Sequence, residues 1–119
     1  MRATVLIVDD HPTFRRFARR LLEEAGYEVV GEAVDGASAI DAVRTLEPAI
    51  VLLDILLPDI SGLAVADELA SLSPAPEVVL VSSRAAAEFG ASLERAPIRR
   101  FVPKHELTVE ALPALLGGR

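Results

Sequence analysis

Ile50-Val51-Leu52-Leu53, running straight into Asp54, is a wholly apolar stretch that ends on a carboxylate. Two other runs are built alike: Val5-Leu6-Ile7-Val8, followed by Asp9 and Asp10, and Val78-Val79-Leu80-Val81, followed by Ser82 and Ser83. A strand with one wet face alternates apolar and polar side chains, whereas a strand covered on both faces is apolar throughout and rich in branched residues. The three runs therefore read as central strands of a parallel sheet. Two weaker segments, Glu28 to Ala33 and Arg99 to Pro103, carry charges and a proline, which suits the edges of that sheet.

Helical periodicity fills the intervals. Phe14, Phe17, Ala18, Leu21, Leu22 and Ala25 recur at spacings of three and four, with Pro12 near the start and Gly26 just past the end. A second helix is predicted over about Gly36 to Glu47, stopped by Pro48, and a third from an N-cap at Ser61 through Leu63, Ala66, Leu69 and Ala70, ended by Pro74 and Pro76. The fourth, about Arg84 to Arg95, contains Gly90 and an alanine-rich face and should be the loosest. The fifth is expected from near Glu106, with Pro113 either in its first turn or kinking it. Five alternations of strand and helix give an α/β fold, an open five-stranded parallel sheet with helices on both faces. Ligands of such sheets bind beyond the carboxyl ends of the strands.

Composition narrows the function. A chain of 119 residues with 51% hydrophobic and 25% charged residues suits one well-packed domain. Without cysteine it has neither disulfides nor thiolate metal sites. A net charge of −6 argues against direct nucleic-acid binding, which needs clustered cations. Arg15, Arg16, Arg19 and Arg20 read as the solvated face of the first helix. The start of the chain resembles neither a signal peptide nor a spanning helix, so a cytoplasmic protein with no membrane association is expected.

Asp9, Asp10, Asp54, Ser82, Ser83 and Lys104 all fall at strand ends on one edge of the sheet. Three converging carboxylates repel one another at low dielectric and require a cation, either a bound metal or Lys104. Oxygen ligands favour a hard ion, Mg²⁺ above all. An aspartate beside such a cation can act as a nucleophile toward phosphorus, and a hydroxyl from Ser82 could bond the transferred group. Each residue also has a plainer reading: Asp10 or His11 as a helix cap, with His11 otherwise at the surface or the rim of the site, the serines as caps of the next helix, Lys104 as a solvated charge. Their joint placement favours a site.

The segments Val8-Asp9-Asp10-His11-Pro12, Leu52 to Gly62, Val81-Ser82-Ser83 and Phe101-Val102-Pro103-Lys104 resemble, in order and spacing, the signature segments of two-component response-regulator receiver domains. The Asp-Asp-His-Pro start is closest to the NarL/FixJ-like subfamily, whose helix-turn-helix output domain this sequence does not show. The resemblance covers nearly the whole chain, taken as one receiver domain over residues 1–119. It implies a flavodoxin-like (βα)5 fold with strand order 2-1-3-4-5. It further implies that Asp54 is the phosphoacceptor, that Asp10 and Asp54 ligate Mg²⁺ directly and Asp9 directly or through water, and that the backbone carbonyl of Leu56 adds a ligand. Lys104 would contact the phosphoryl group and Ser82 would reorient to bond it. Phe101 matches the switch aromatic, though an ordinary apolar edge residue fits that position as well.

The implied function is a phosphorelay switch that receives its phosphoryl group from a sensor histidine kinase or a histidine phosphotransfer protein. It would be read out by a downstream protein at the face of the fourth helix, fifth strand and fifth helix, or by a phosphorylation-dependent homodimer. It would catalyse its own phosphotransfer and slow dephosphorylation, without turning over a separate substrate. The sequence departs from the wider family at His105, where proline commonly follows the lysine, and at Ala96-Pro97-Ile98-Arg99-Arg100, a stretch that often contains glycine. Two other classes fit the sequence less well. An aspartate-nucleophile phosphohydrolase of the haloacid-dehalogenase kind needs a second aspartate two positions on, where Leu56 stands. A pseudo-receiver that signals by binding alone usually lacks the acceptor, an acidic partner or the lysine, and all are here.

Overall fold

The computed structural model describes residues 2–83 and 100–116. Five strands, β1 (Thr4–Val8), β2 (Glu28–Ala33), β3 (Ile50–Asp54), β4 (Glu77–Ser82) and β5 (Arg100–Pro103), form one parallel sheet in the order β2-β1-β3-β4-β5. Helices α1 (Pro12–Glu24), α2 (Gly36–Leu46) and α3 (Gly62–Ala70) connect the first four strands. The segments with charge and proline lie at the two edges, and Pro103 is tolerated in β5 because an edge strand can spare an N–H.

The apolar runs lack alternation because each strand feeds two cores. Val5, Ile7, Ile50, Leu52, Val79 and Val81 point to one side, onto Ala18 and Leu22 of α1 and onto Leu107, Leu112 and Leu116. Leu6, Val8, Val51, Leu53 and Leu80 point to the other, onto Ala39 and Val43 of α2 and Val65, Ala66 and Leu69 of α3. Packing on both faces fixes the strand register, since a slip by one residue would exchange the two cores.

The helices end where local chemistry stops them. Gly26, with φ of 95°, takes the left-handed position after α1, where its N–H reaches Glu23 O (3.1 Å) and the Tyr27 N–H reaches Leu22 O (2.9 Å). Asp35 caps α2, accepting from Ser38 N at 2.8 Å, while Ser38 Oγ lies 3.4 Å from the Asp35 N–H it accepts. Ser61 caps α3 through Leu63 N at 3.1 Å.

Three expectations change. Arg15 and Arg19 do not form a purely solvated face: their Nε groups donate to Glu32 of β2 at 2.9 and 2.8 Å, and only Arg16 and Arg20 stay exposed. The last helix does not begin near Glu106. Lys104–Glu106 is a 3-10 turn, and helix resumes only at Leu112–Leu115, with Pro113 in its first turn. Pro113 has no N–H for the carbonyl four residues back and its ring crowds it, so helix cannot run through Val109. Phe17 lies on the apolar stripe of α1 but is 46% exposed. The expected fourth helix, Arg84 to Arg95, lies outside the described residues, as does most of 96–100. Among the described residues no helix is long and apolar enough to cross a membrane.

Candidate functional site

At the carboxyl edge of the sheet, β1 delivers Asp9, β3 ends on Asp54, β4 ends on Ser82 and β5 hands the chain to Lys104. The pairings that set this edge are Asp54 against Val81 and Ser82 against Pro103. Asp9 and Ser82 are wholly buried and Asp54 is 3% exposed, so the sheet carries two carboxyl groups into its interior margin. Asp10 sits at the rim, with its side chain 36% exposed.

The chain then turns sharply around these groups. Asp9 Oδ1 accepts from His11 N at 2.8 Å, which closes the turn into α1. The plainer reading of Asp10 or His11 as a side-chain cap does not hold for His11, which occupies the N-cap position without such a bond while Asp9 takes up its N–H. Beyond β3, Asp54 Oδ1 accepts from Leu56 N at 3.1 Å, Gly62 N donates to Ile55 O at 2.7 Å, and Leu56 bridges Ser61. Gly62 is required here because a Cβ would overlap the Asp54 carbonyl oxygen and lie 2.7 Å from Ile55 Cα. Asp59 ties the same loop to α2, accepting from Gly36 N (2.8 Å) and Ala37 N (3.0 Å).

Lys104 Nζ lies 2.6 Å from Asp9 Oδ2 and 3.3 Å from Asp54 Oδ2. The contact to Asp9 is a close ion pair, and among the described residues this buried oxygen has no further hydrogen-bond partner. The two carboxyls respond differently. Burial opposes the charge of Asp9, but Lys104 and the bonds from His11 outweigh it and hold its pKa below the ordinary value. Burial pushes Asp54 upward, the bond from Leu56 N and the lysine charge pull against it, and the Asp9 anion adds to the rise.

Asp9, Asp10, His11 and Asp54 each present a ligand atom within 4.8 Å of the others. A buried carboxylate oxygen without a hydrogen bond, among further carboxylates and beside one lysine, fits a hard divalent ion in its donor chemistry. The arrangement thus joins an anionic cation site, a carboxylate with raised pKa and a lysine within one small volume. Phe101 is partly buried against the core on the α2 and α3 side.

The residues also match known proteins. The family description for response regulator receiver domains matches residues 5–115. The chain belongs to the response regulator receiver family. A Pseudomonas aeruginosa protein named a transcriptional regulator is 40% identical to the receiver over 117 residues, covering 96% of this chain and 56% of that protein. The nitrate/nitrite response regulator NarP of Escherichia coli is 55% identical over 60 residues, covering 50% of this chain and 28% of its own length. The receiver thus spans little more than half the length of the first of these relatives. Among solved structures, a LuxR-family two-component response regulator from Aurantimonas sp. superposes with a TM-score of 0.85 at 31% identity, covering all of this chain and 88% of that one.

One feature of the receiver leaves no signal in the sequence. The Phe14 ring lies under Lys104, with Nζ 4.2 Å from the ring centroid, a cation–π contact that helps place the ammonium. A cavity of about 490 Å³ opens beside it, lined among the described residues by His11, Thr13, Phe14, Phe17, Ser83 and Lys104. Helical periodicity assigned Phe14 to the core; nothing in its spacing marked it as a neighbour of the lysine.

Proposed function

We propose that the receiver takes a phosphoryl group onto Asp54 from the phosphohistidine of a sensor histidine kinase or a histidine phosphotransfer protein, with all 119 residues acting as one switching unit. The observation that carries this reading is the convergence of Asp54, Asp9 and Lys104 within 3.3 Å ion-pair contacts at the carboxyl edge of the sheet. A carboxylate oxygen of Asp54 attacks phosphorus as the phosphorus–nitrogen bond of the donor breaks, and the electron pair and a proton end on the departing imidazole. Lys104, already beside Asp54, neutralises charge on the transferred group. Mg²⁺ held by Asp9, Asp10, Asp54 and the backbone carbonyl of Leu56 would supply further charge neutralisation at the phosphoryl oxygens.

Ser82, at the end of β4, would turn its hydroxyl toward the new phosphoryl group, and Phe101 is the edge aromatic that would follow it inward. Added charge and acceptor oxygens reward the arrangement in which Lys104 and Ser82 close on them, so phosphorylation shifts a two-state equilibrium at the readout face. The domain would act in the cytoplasm on a downstream protein or on a second copy of itself, releasing the group slowly by its own hydrolysis without turning over a separate substrate.

The test is intact mass after incubation with acetyl phosphate, with and without Mg²⁺, on the wild type and Asp54→Asn. One Mg²⁺-dependent phosphoryl adduct, absent from the variant, supports the reading. Folded wild type that gains no adduct overturns it in favour of signalling by binding alone.

A further inference from the structure

His11 has no part in the phosphotransfer described above, yet its ring faces both aspartates that follow β1. Its Nδ1 lies 3.0 Å from Asp9 Oδ1 and 3.2 Å from Asp10 Oδ1. Two ligands in cis positions around an octahedral ion, with bonds of about 2.1 Å, are separated by the bond length times the square root of two, about 3.0 Å. The Nδ1 contacts, a hydrogen bond to Asp9 Oδ1 and a 3.2 Å approach to Asp10 Oδ1, thus have the spacing of octahedral edges as well.

We propose that His11 is a direct ligand of the divalent-cation site, and that its imidazole nitrogen biases this receiver toward Mn²⁺, Co²⁺ and Ni²⁺ over Mg²⁺. The inference rests on the reading of Asp9, Asp10 and Asp54 as the cation site. Three further observations carry it. Asp9 is fully buried and its Oδ2 is paired with Lys104, which it shares with Asp54, so the carboxyl groups gathered with Asp10 outnumber the ammonium that faces them. The backbone enforces the approach: Pro12 opens α1, His11 is held extended at the N-cap by its N–H bond to Asp9, and its ring turns back toward the strand end instead of capping the helix. Finally, Nδ1 faces two carboxylates and has at most one hydrogen to share between them, whereas a cation satisfies all three groups at once.

The chemistry of the donor sets the selectivity. Carboxylates and water suit Mg²⁺, while imidazole strengthens binding along the series from Mn²⁺ to Ni²⁺. With its side chain 67% exposed, His11 also leaves the outer side of the site open to water and to a phosphoryl donor.

The test is calorimetric titration of Mg²⁺, Mn²⁺ and Ni²⁺ into the wild type, His11→Ala, Asp54→Asn and, as a control for the other histidine, His105→Ala. The expected result is Ni²⁺ affinity at least about ten-fold weaker in His11→Ala, with Mg²⁺ affinity changed less than about two-fold and His105→Ala like the wild type. An unchanged ratio of Ni²⁺ to Mg²⁺ affinity in His11→Ala overturns the proposal, and so does an equal loss for both ions, which would make His11 a support for Asp9. Imidazole ¹⁵N spectra of wild type with Zn²⁺ give a readout independent of the variant's folding: Nδ1 of His11 should shift as a ligated nitrogen, and a shift confined to His105 refutes the assignment. Wild type that fails to bind Mg²⁺, or Asp54→Asn that binds it equally well, would instead remove the carboxylate-site reading, an outcome separate from the Ni²⁺ ratio.

Discussion

Replacing Lys104 by methionine keeps an unbranched stem over Phe14 and removes the ammonium that faces two buried carboxyl groups. The distances set the scale. At 2.6 Å from Asp9 and 3.3 Å from Asp54, a full charge is attracted by about 5 to 6 kcal/mol to each at an effective dielectric near 20. Desolvation of the three groups offsets much of this, but deleting one member of a buried ion pair leaves the others uncompensated, and the net loss is about 3–5 kcal/mol. That is a large share of the 5–15 kcal/mol that holds a typical domain folded.

Urea denaturation in EDTA at neutral pH is the assay, and Lys104→Met should show a midpoint lowered by about 2 M for a slope of about 2 kcal/mol/M. Two conditions should narrow the gap to wild type. Saturating Mg²⁺ replaces the missing positive charge. Acid does the same by another route: the Asp54 carboxyl is held above its ordinary pKa, so its ionisation weakens the fold as pH rises through that value and its protonation relieves the variant first as pH falls. Adding Asp54→Asn to Lys104→Met should restore part of the loss. A variant within about 1 kcal/mol of wild type in EDTA, or a gap insensitive to Mg²⁺, would refute the reasoning.

Gly62→Ala should cost about 2–3 kcal/mol in urea denaturation, because its Cβ meets backbone of β3 and not a movable side chain; a loss below 1 kcal/mol would show that the loop gives way. Asp59→Ala should lower the melting temperature at pH 7. Backbone bonds led by Gly36, with Ala37 and Ile60, hold the Asp59 pKa down, so its contribution is present above the ordinary carboxylate pKa and is lost as pH falls through the lowered value; wild type and variant should converge in strong acid. A double-mutant cycle on Arg19 and Glu32 should give a coupling of about 0.5–1 kcal/mol that shrinks in 1 M salt, and zero coupling would make that pair ornamental to the α1–β2 contact.

The sheet was legible because its strands are buried on both sides, which writes itself into Val5–Val8, Ile50–Leu53 and Val78–Val81 as unbroken apolar runs. Strand order came only with the resemblance, since five alternating strands and helices admit more than one winding. The strand-end polar residues were legible as a set because an α/β sheet has one edge where they can meet. What escaped was tertiary in origin. Arg15 and Arg19 look like surface charges until β2 brings Glu32 across from them. Phe14 obeys the same spacing as the core residues of its helix, and only the turn after β5 puts Lys104 on its ring. The region after Glu106 has helical composition throughout, and the missing N–H of Pro113 decided where the helix could start.

The most direct test of the central claim is to locate the phosphoryl group chemically. Receiver treated with acetyl phosphate and Mg²⁺ is reduced with borohydride, which converts an aspartyl phosphate to homoserine, and then digested and mapped by mass spectrometry. Homoserine at position 54, absent without Mg²⁺, is the expected result. Homoserine at Asp9 or Asp10, or an unmodified peptide from protein shown to be folded, would contradict it.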